Sequence, residues 1–215
     1  MEILGKVRPE EVIAQWVVRE YDKIKVRPDA PPLDPALLTD IDYSDREKHK
    51  QRLAFLLCCR EPVLNVFLED LEWYKVQVEL EDLKSLRVIR ESGWIPLSGK
   101  GGKIASAVDN YIKFDNDPST APAVADTETK KEFEGLLTSI RDFREQAGNA
   151  GHNLTLILIG PSTKGPFTLL EGNHTAMALF LRHFIDHPEA PYPSRISYAG
   201  ISPLIQRCGW AWVDS

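Results

Sequence analysis

The stretch Leu154–Arg182, LTLILIGPSTKGPFTLLEGNHTAMALFLR, decides how this chain is read. Leu154–Ile159 is a nearly unbroken apolar run rich in branched residues, which predicts a buried strand. Pro161–Gly165 supplies turn residues and Phe167–Leu170 resumes the apolar run, so the two segments read as a hairpin. From Ala176 onward Met177, Phe180, Leu181 and Phe184 recur at helical spacing. Gly172 therefore marks a tight turn from strand into helix.

Such a turn has a chemical consequence. The first turn of a helix carries main-chain N–H groups without helical acceptors and the positive end of the peptide dipoles, which together hold an anion such as phosphate. Gly172 lets a ligand approach the backbone, and Asn173, His174 and Thr175 add side-chain donors. The same residues also fit a plain N-cap, with Asn173 or Thr175 capping and His174 packed or solvated.

The order strand, Glu171-Gly172-Asn173-His174, Ala-containing helix resembles the box shared by ParB-like domains and sulfiredoxins, where an Asp or Glu, a Gly and a His or Arg precede a helix. The strand Trp73–Leu80 followed by Asp82-Leu83 resembles the opening of the same domain, so the resemblance covers residues 73 to 185. It implies a small mixed α/β (α+β) sheet with packed helices, and a nucleotide whose phosphates sit on Gly172, Asn173, His174 and Thr175. Thr175 stands where the family usually has an Arg, so one phosphate-contacting cation is missing from the box. The sulfiredoxin cysteine is Asn173 here, which removes that chemistry.

A second loop bears on the same site. Ser98, Gly99, Lys100, Gly101, Gly102 and Lys103 form a donor-rich cationic segment before a helix at Ile104–Ile112, without the spacing of a Walker loop. ParB-like domains carry a nucleotide-contacting loop near this point, and Lys100 or Lys103 are candidates for the missing charge; a mobile surface loop is the alternative. Free serine kinases of this fold use a glutamate after the first strand as general base. Glu91 falls in that region and Glu171 lies beside the phosphate site, so these two are the candidate catalytic carboxylates, with an ordinary surface role as the alternative for Glu91.

Composition bounds these readings. At 215 residues with 43% hydrophobic content, the chain has room for one domain with an appendage or for two small domains. A net charge of −6 argues against general nucleic-acid binding. Three cysteines, two of them the adjacent Cys58 and Cys59, make neither a disulfide framework nor a zinc site, and no protein metal ligands stand out. The N-terminus lacks the pattern of a secretion signal and no apolar run is long enough to span a bilayer, so a cytoplasmic protein without membrane contact is expected.

Elsewhere Val12, Ile13, Trp16, Val17, Tyr21 and Ile24 predict a helix opened by Pro9, and Arg27–Pro35 an extended connector. A second helix is predicted over Asp42–Arg60, its charged front a solvated face, and a short one over Pro62–Leu71. Residues 1–72 thus read as a helical extension and 73–215 as the nucleotide-binding domain. Phe114–Asp126 reads as an exposed loop, Glu128–Gln146 as a helix, Gly148–Asn153 with His152 as an exposed turn, and Arg195–Ala199 as a strand. Trp210 and Trp212 pin the tail to the core or meet a partner. The function expected is transfer of phosphate from ATP, ADP or CTP, with Mg2+ shared with its phosphates, to a small hydroxyl or amine metabolite. The alternative is a nucleotide switch with little chemistry that acts on a protein partner.

Overall fold

Val12, Ile13, Trp16, Val17 and Ile24 are buried on one side of the first helix, and with them the N-terminal segment joins the core that also holds the sheet. The computed structural model describes residues 1–64, 71–120, 127–146, 155–192 and 194–212. Strands are β1 (Glu2–Val7), β2 (Glu72–Val78), β3 (Ile157–Gly160), β4 (Thr168–Glu171) and β5 (Arg195–Ile201). The helices are α1 (Pro9–Ile24), α2 (Arg46–Leu64), α3 (Ile95–Ser98), α4 (Ile104–Asn116), α5 (Thr127–Gln146) and α6 (Asn173–Phe180), the last continuing as a π turn through Asp186. The fold is mixed α/β.

The sheet runs β1-β2-β5-β3-β4, antiparallel throughout except for the parallel pair β3–β5. β3 is buried at every position, as an unbroken apolar run requires, and β4 returns beside it as the expected hairpin. α6 then leaves the end of β4, so the strand-to-helix turn at Gly172 sits at the sheet's edge, with α4 and α5 packed against α6.

Several readings change. Glu2–Val7 lies within a segment read as helical, yet it is an edge strand paired with β2. Five of its six residues are exposed, so no alternation marks it in the sequence. Arg52, counted among the solvated charges of α2, is fully buried and donates from Nη2 to the carbonyls of Leu37 and Asp40 at 3.0 and 2.8 Å. Four carbons of aliphatic and planar bulk let an arginine fill core space where two carbonyls turn inward. α4 runs on to Asn116 with Phe114 buried against Phe133, so the loop begins later than its polar composition suggests. α2 extends to Leu64; the rest of the helix read over Pro62–Leu71 falls mostly on 65–70, and the turn with His152 on 147–154, outside the described residues.

Candidate functional site

Gly172 has φ 95° and ψ 19°, a left-handed conformation that fits glycine best. A Cβ there would lie 2.6 Å from Leu156 Cδ2, so the turn also packs directly on the buried strand segment. Past it, the first main-chain N–H with a helical acceptor is that of Ala176, bonded to the Gly172 carbonyl at 2.8 Å. The N–H groups of Asn173, His174 and Thr175 have no acceptor among the described residues. These are the donors an anion at a helix N-terminus uses.

The side chains divide differently from the sequence reading. Asn173 is buried, and its Oδ1 accepts the Ile89 N–H at 2.9 Å, tying the turn to the segment that carries Glu91. Thr175 is also buried, and its Oγ1 accepts from Arg19 Nη2 at 2.7 Å. Both side chains are therefore engaged by the protein itself, and the main-chain N–H groups and His174 are the donors left over.

Arg19 is the residue that the sequence reading missed. Its Nε meets Glu171 Oε1 at 3.1 Å, its Nη1 the Thr155 carbonyl at 2.9 Å, and its Nη2 the hydroxyl of Thr175, the position where the resembled box has its own Arg. The guanidinium arrives from α1, more than 150 residues earlier in the chain. Arg60 on α2 joins Glu20 Oε2 at 2.6 Å to Glu171 Oε2 at 3.5 Å, and Lys23 holds Glu20 Oε1 at 2.9 Å. Three cations thus surround two buried carboxylates, with Lys23 and Arg60 half-exposed and Arg19 almost covered. A polar i, i+4 pair on α1, Arg19 and Lys23, was the only signal available, and it looks like an ordinary solvated flank.

The two candidate carboxylates sit in opposed environments. Glu171 is buried, yet Arg19, Arg60 and Lys23 and the Gly172 N–H at 2.8 Å overcome that burial and hold its carboxyl below the usual range. Glu91 is pushed up by the protein packed around its inner side and by Glu132 and Glu171, against the pull of Arg60. Its side chain makes no hydrogen bond or ion pair among the described residues, and it keeps an exposed side. His174 lies between the rings of Trp94 and Phe143, at 5.1 and 5.6 Å between centroids. Burial there, with Lys23, Arg19 and Arg60 facing it, pushes its pKa down to about 4, so it is a neutral imidazole at pH 7. No group among the described residues hydrogen-bonds that ring.

The loop at 98–103 supplies none of these cations. Ser98 belongs to α3, is buried, and donates to the Trp94 carbonyl at 2.9 Å. Gly99, Gly101 and Gly102 all take positive φ, and Lys100 and Lys103 are exposed. The cations that act on His174 and Glu171 come from α1 and α2, not from Lys100 or Lys103. Among the described residues no three His, Cys, Asp or Glu side chains gather to hold a metal. Among the described residues no helix is long and apolar enough to cross a membrane.

The chain matches no protein-family model, no curated protein and no solved structure.

Proposed function

We propose that this protein binds a nucleotide through its phosphates at the N-terminus of α6 and transfers phosphate to a small metabolite bearing a hydroxyl or amine. The observation that carries this reading is the pair Glu91 and Glu171, which share Arg60 as a neighbour while one carboxyl is pushed up and the other held down. Carboxylates driven apart in this way divide into a proton acceptor and a fixed anion. Glu171 is the fixed anion: it anchors Arg19 and Arg60 beside the free N–H groups of Asn173, His174 and Thr175. Glu91, half-open and uncommitted, takes the acceptor proton as the acceptor's oxygen or nitrogen bonds to phosphorus and the nucleotide leaves with one phosphoryl fewer.

The resemblance of Glu171-Gly172-Asn173-His174 to the ParB and free serine kinase boxes supports the same reading, and Arg19 brings a guanidinium charge to Thr175, the position of the lost box arginine. Lys23 and Arg60, both partly open, suit the negative charge of a phosphate chain. His174, neutral and without a protein partner, can donate to a phosphate oxygen. Mg2+ is expected to arrive with the nucleotide. Among the described residues no carboxylate cluster suits an ion caged by protein, since Glu171 is engaged by cations. A cytoplasmic setting, where such nucleotides are abundant, belongs to the same proposal.

Calorimetry with ATP, ADP and CTP, with and without Mg2+, on the parent and Glu91→Gln tests it. Glu91→Gln is expected to bind nucleotide as the parent does or slightly more tightly, while turnover falls by roughly a hundredfold. Parent-level turnover in that variant would remove Glu91 as the base. Binding without acceptor-dependent turnover in the parent would instead favour the nucleotide-switch reading.

A further inference from the structure

The segment Arg87–Glu91 lies outside every regular element but is gripped at each residue. Arg87 donates to the Phe167 carbonyl at 2.9 Å and accepts from the Leu169 N–H at 2.7 Å, which fixes it to the β4 hairpin. Val88 donates to the Gly102 carbonyl at 2.8 Å, and Ile89 to Asn173 Oδ1 at 2.9 Å. Arg90 donates to the Trp210 carbonyl at 3.0 Å. Glu91 follows immediately and opens the turn into α3, accepting from the N–H groups of Trp94 and Ile95 at 3.0 Å each.

One side chain closes this arrangement. Trp212 Nε1 donates to the Val88 carbonyl at 2.8 Å, and its ring lies 5.9 Å from the Arg90 guanidinium. The indole is lodged so closely on Gly102 that a Cβ there would fall 2.1 Å from Nε1. The same indole thus covers the glycine loop and saturates the carbonyl of the residue whose N–H is bonded to that loop. Loop, strap and tail are held as one body.

From this geometry we infer that Trp212 is the positioning residue for Glu91: the C-terminal segment holds the strap that aims the carboxylate at the acceptor. This rests on the reading of Glu91 as base. Without the indole, the Val88 carbonyl loses its donor and the strap can drift; a displacement of about 1 Å at a catalytic group costs up to a hundredfold in rate. Binding at the α6 N-terminus does not pass through the strap's position to the same degree, so the loss should fall on kcat.

The test uses the full chain with Trp212→Ala, Trp212→Phe and, as control, Gly209→Ala, a tail position whose Cα faces open space. Two readouts are taken: kcat and KM for ATP, ADP or CTP across pH, and an NMR titration of the Glu91 carboxyl with isotope-labelled glutamate. Trp212→Ala is expected to lower kcat about thirtyfold with KM within about twofold. Trp212→Phe keeps a ring over Gly102 and loses only the N–H, so about threefold is expected. Gly209→Ala should match the parent. The groups facing Glu91 are Arg60 from α2, Glu132 from α5 and Glu171 from β4. As the strap loosens, water surrounds the carboxyl more fully and its titration moves down toward the ordinary glutamate range, with the acidic limb of the pH profile, which the base sets, moving alike.

Parent kcat together with an unmoved Glu91 titration in Trp212→Ala overturns the inference. Should that variant fail to fold, the same two readouts on Trp212→Phe decide it. If the parent transfers no phosphate at all, the phosphotransfer reading falls while the titration alone still tests positioning: a shift on Trp212 substitution sustains it, and no shift ends it.

Discussion

Replacing Arg19 by Met removes the guanidinium and keeps most of the side-chain volume. Three contacts disappear at once: 3.1 Å to Glu171 Oε1, 2.9 Å to the Thr155 carbonyl and 2.7 Å to Thr175 Oγ1. Both partners of the ion pair are nearly covered, with 8% and 12% of their side chains exposed, so solvent does little to replace the lost charge. Breaking one half of such a pair costs about 3–5 kcal/mol. Arg60 remains 3.5 Å from the other Glu171 oxygen and takes up part of the burden, which puts the expected loss at the low end, about 3 kcal/mol. For a chain of this length that is about 6–12 °C in Tm.

The pH dependence follows from the sign of the Glu171 shift. Its folded carboxyl is held below the unfolded value, so the stabilisation is present above that unfolded value and is lost as pH falls through the folded one. Urea denaturation should therefore find the parent and Arg19→Met far apart at pH 7 and converging as pH falls through the lowered range in which the folded carboxyl titrates. Glu171→Gln in the Arg19→Met background should recover part of the loss, because it removes the stranded charge. A variant within about 0.5 kcal/mol of the parent at pH 7 would refute the role given to Arg19, since that is the range of an exposed pair.

His174 gives a second pH signature. Its folded pKa near 4 lies below the unfolded value of about 6.5, so the unfolded chain binds the extra proton and stability falls as pH drops between them. About 2 kcal/mol should be lost between pH 7.5 and pH 5, and His174→Asn should flatten that slope; an equal slope in both proteins would contradict the burial of a neutral ring. Gly172→Ala should cost about 3 kcal/mol in urea melts, from the left-handed backbone and from the Cβ pressed on Leu156. A loss under about 1 kcal/mol would mean that the turn relaxes freely.

What could be read from the sequence and what could not divide along physical lines. The β3–turn–β4–Gly172–α6 unit was legible because its apolar period switches from a strand run to helical spacing at a glycine, within one continuous stretch. β1 was not, because an edge strand exposed on both faces carries no burial pattern. The backbone part of the site, Gly172 to Thr175, followed from the same stretch. Its cations did not: Arg19, Lys23 and Arg60 reach Glu171, Glu20 and Thr175 only through tertiary packing, and along α1 and α2 they resemble solvated charge. Arg52 is the same ambiguity resolved toward the core. Asn173 and Thr175 were read by residue type as ligand donors, whereas each spends its side chain on a protein partner.

The most direct test of phosphate transfer from the α6 site is a 31P NMR time course of the parent with ATP, ADP or CTP, Mg2+ and a pool of small hydroxyl and amine metabolites. Nucleotide phosphate signal should decline as a phosphomonoester or phosphoramidate resonance grows, and Glu91→Gln should slow this growth roughly a hundredfold. Nucleotide that stays intact, or that yields only inorganic phosphate whatever metabolites are present, would contradict phosphate transfer from this site.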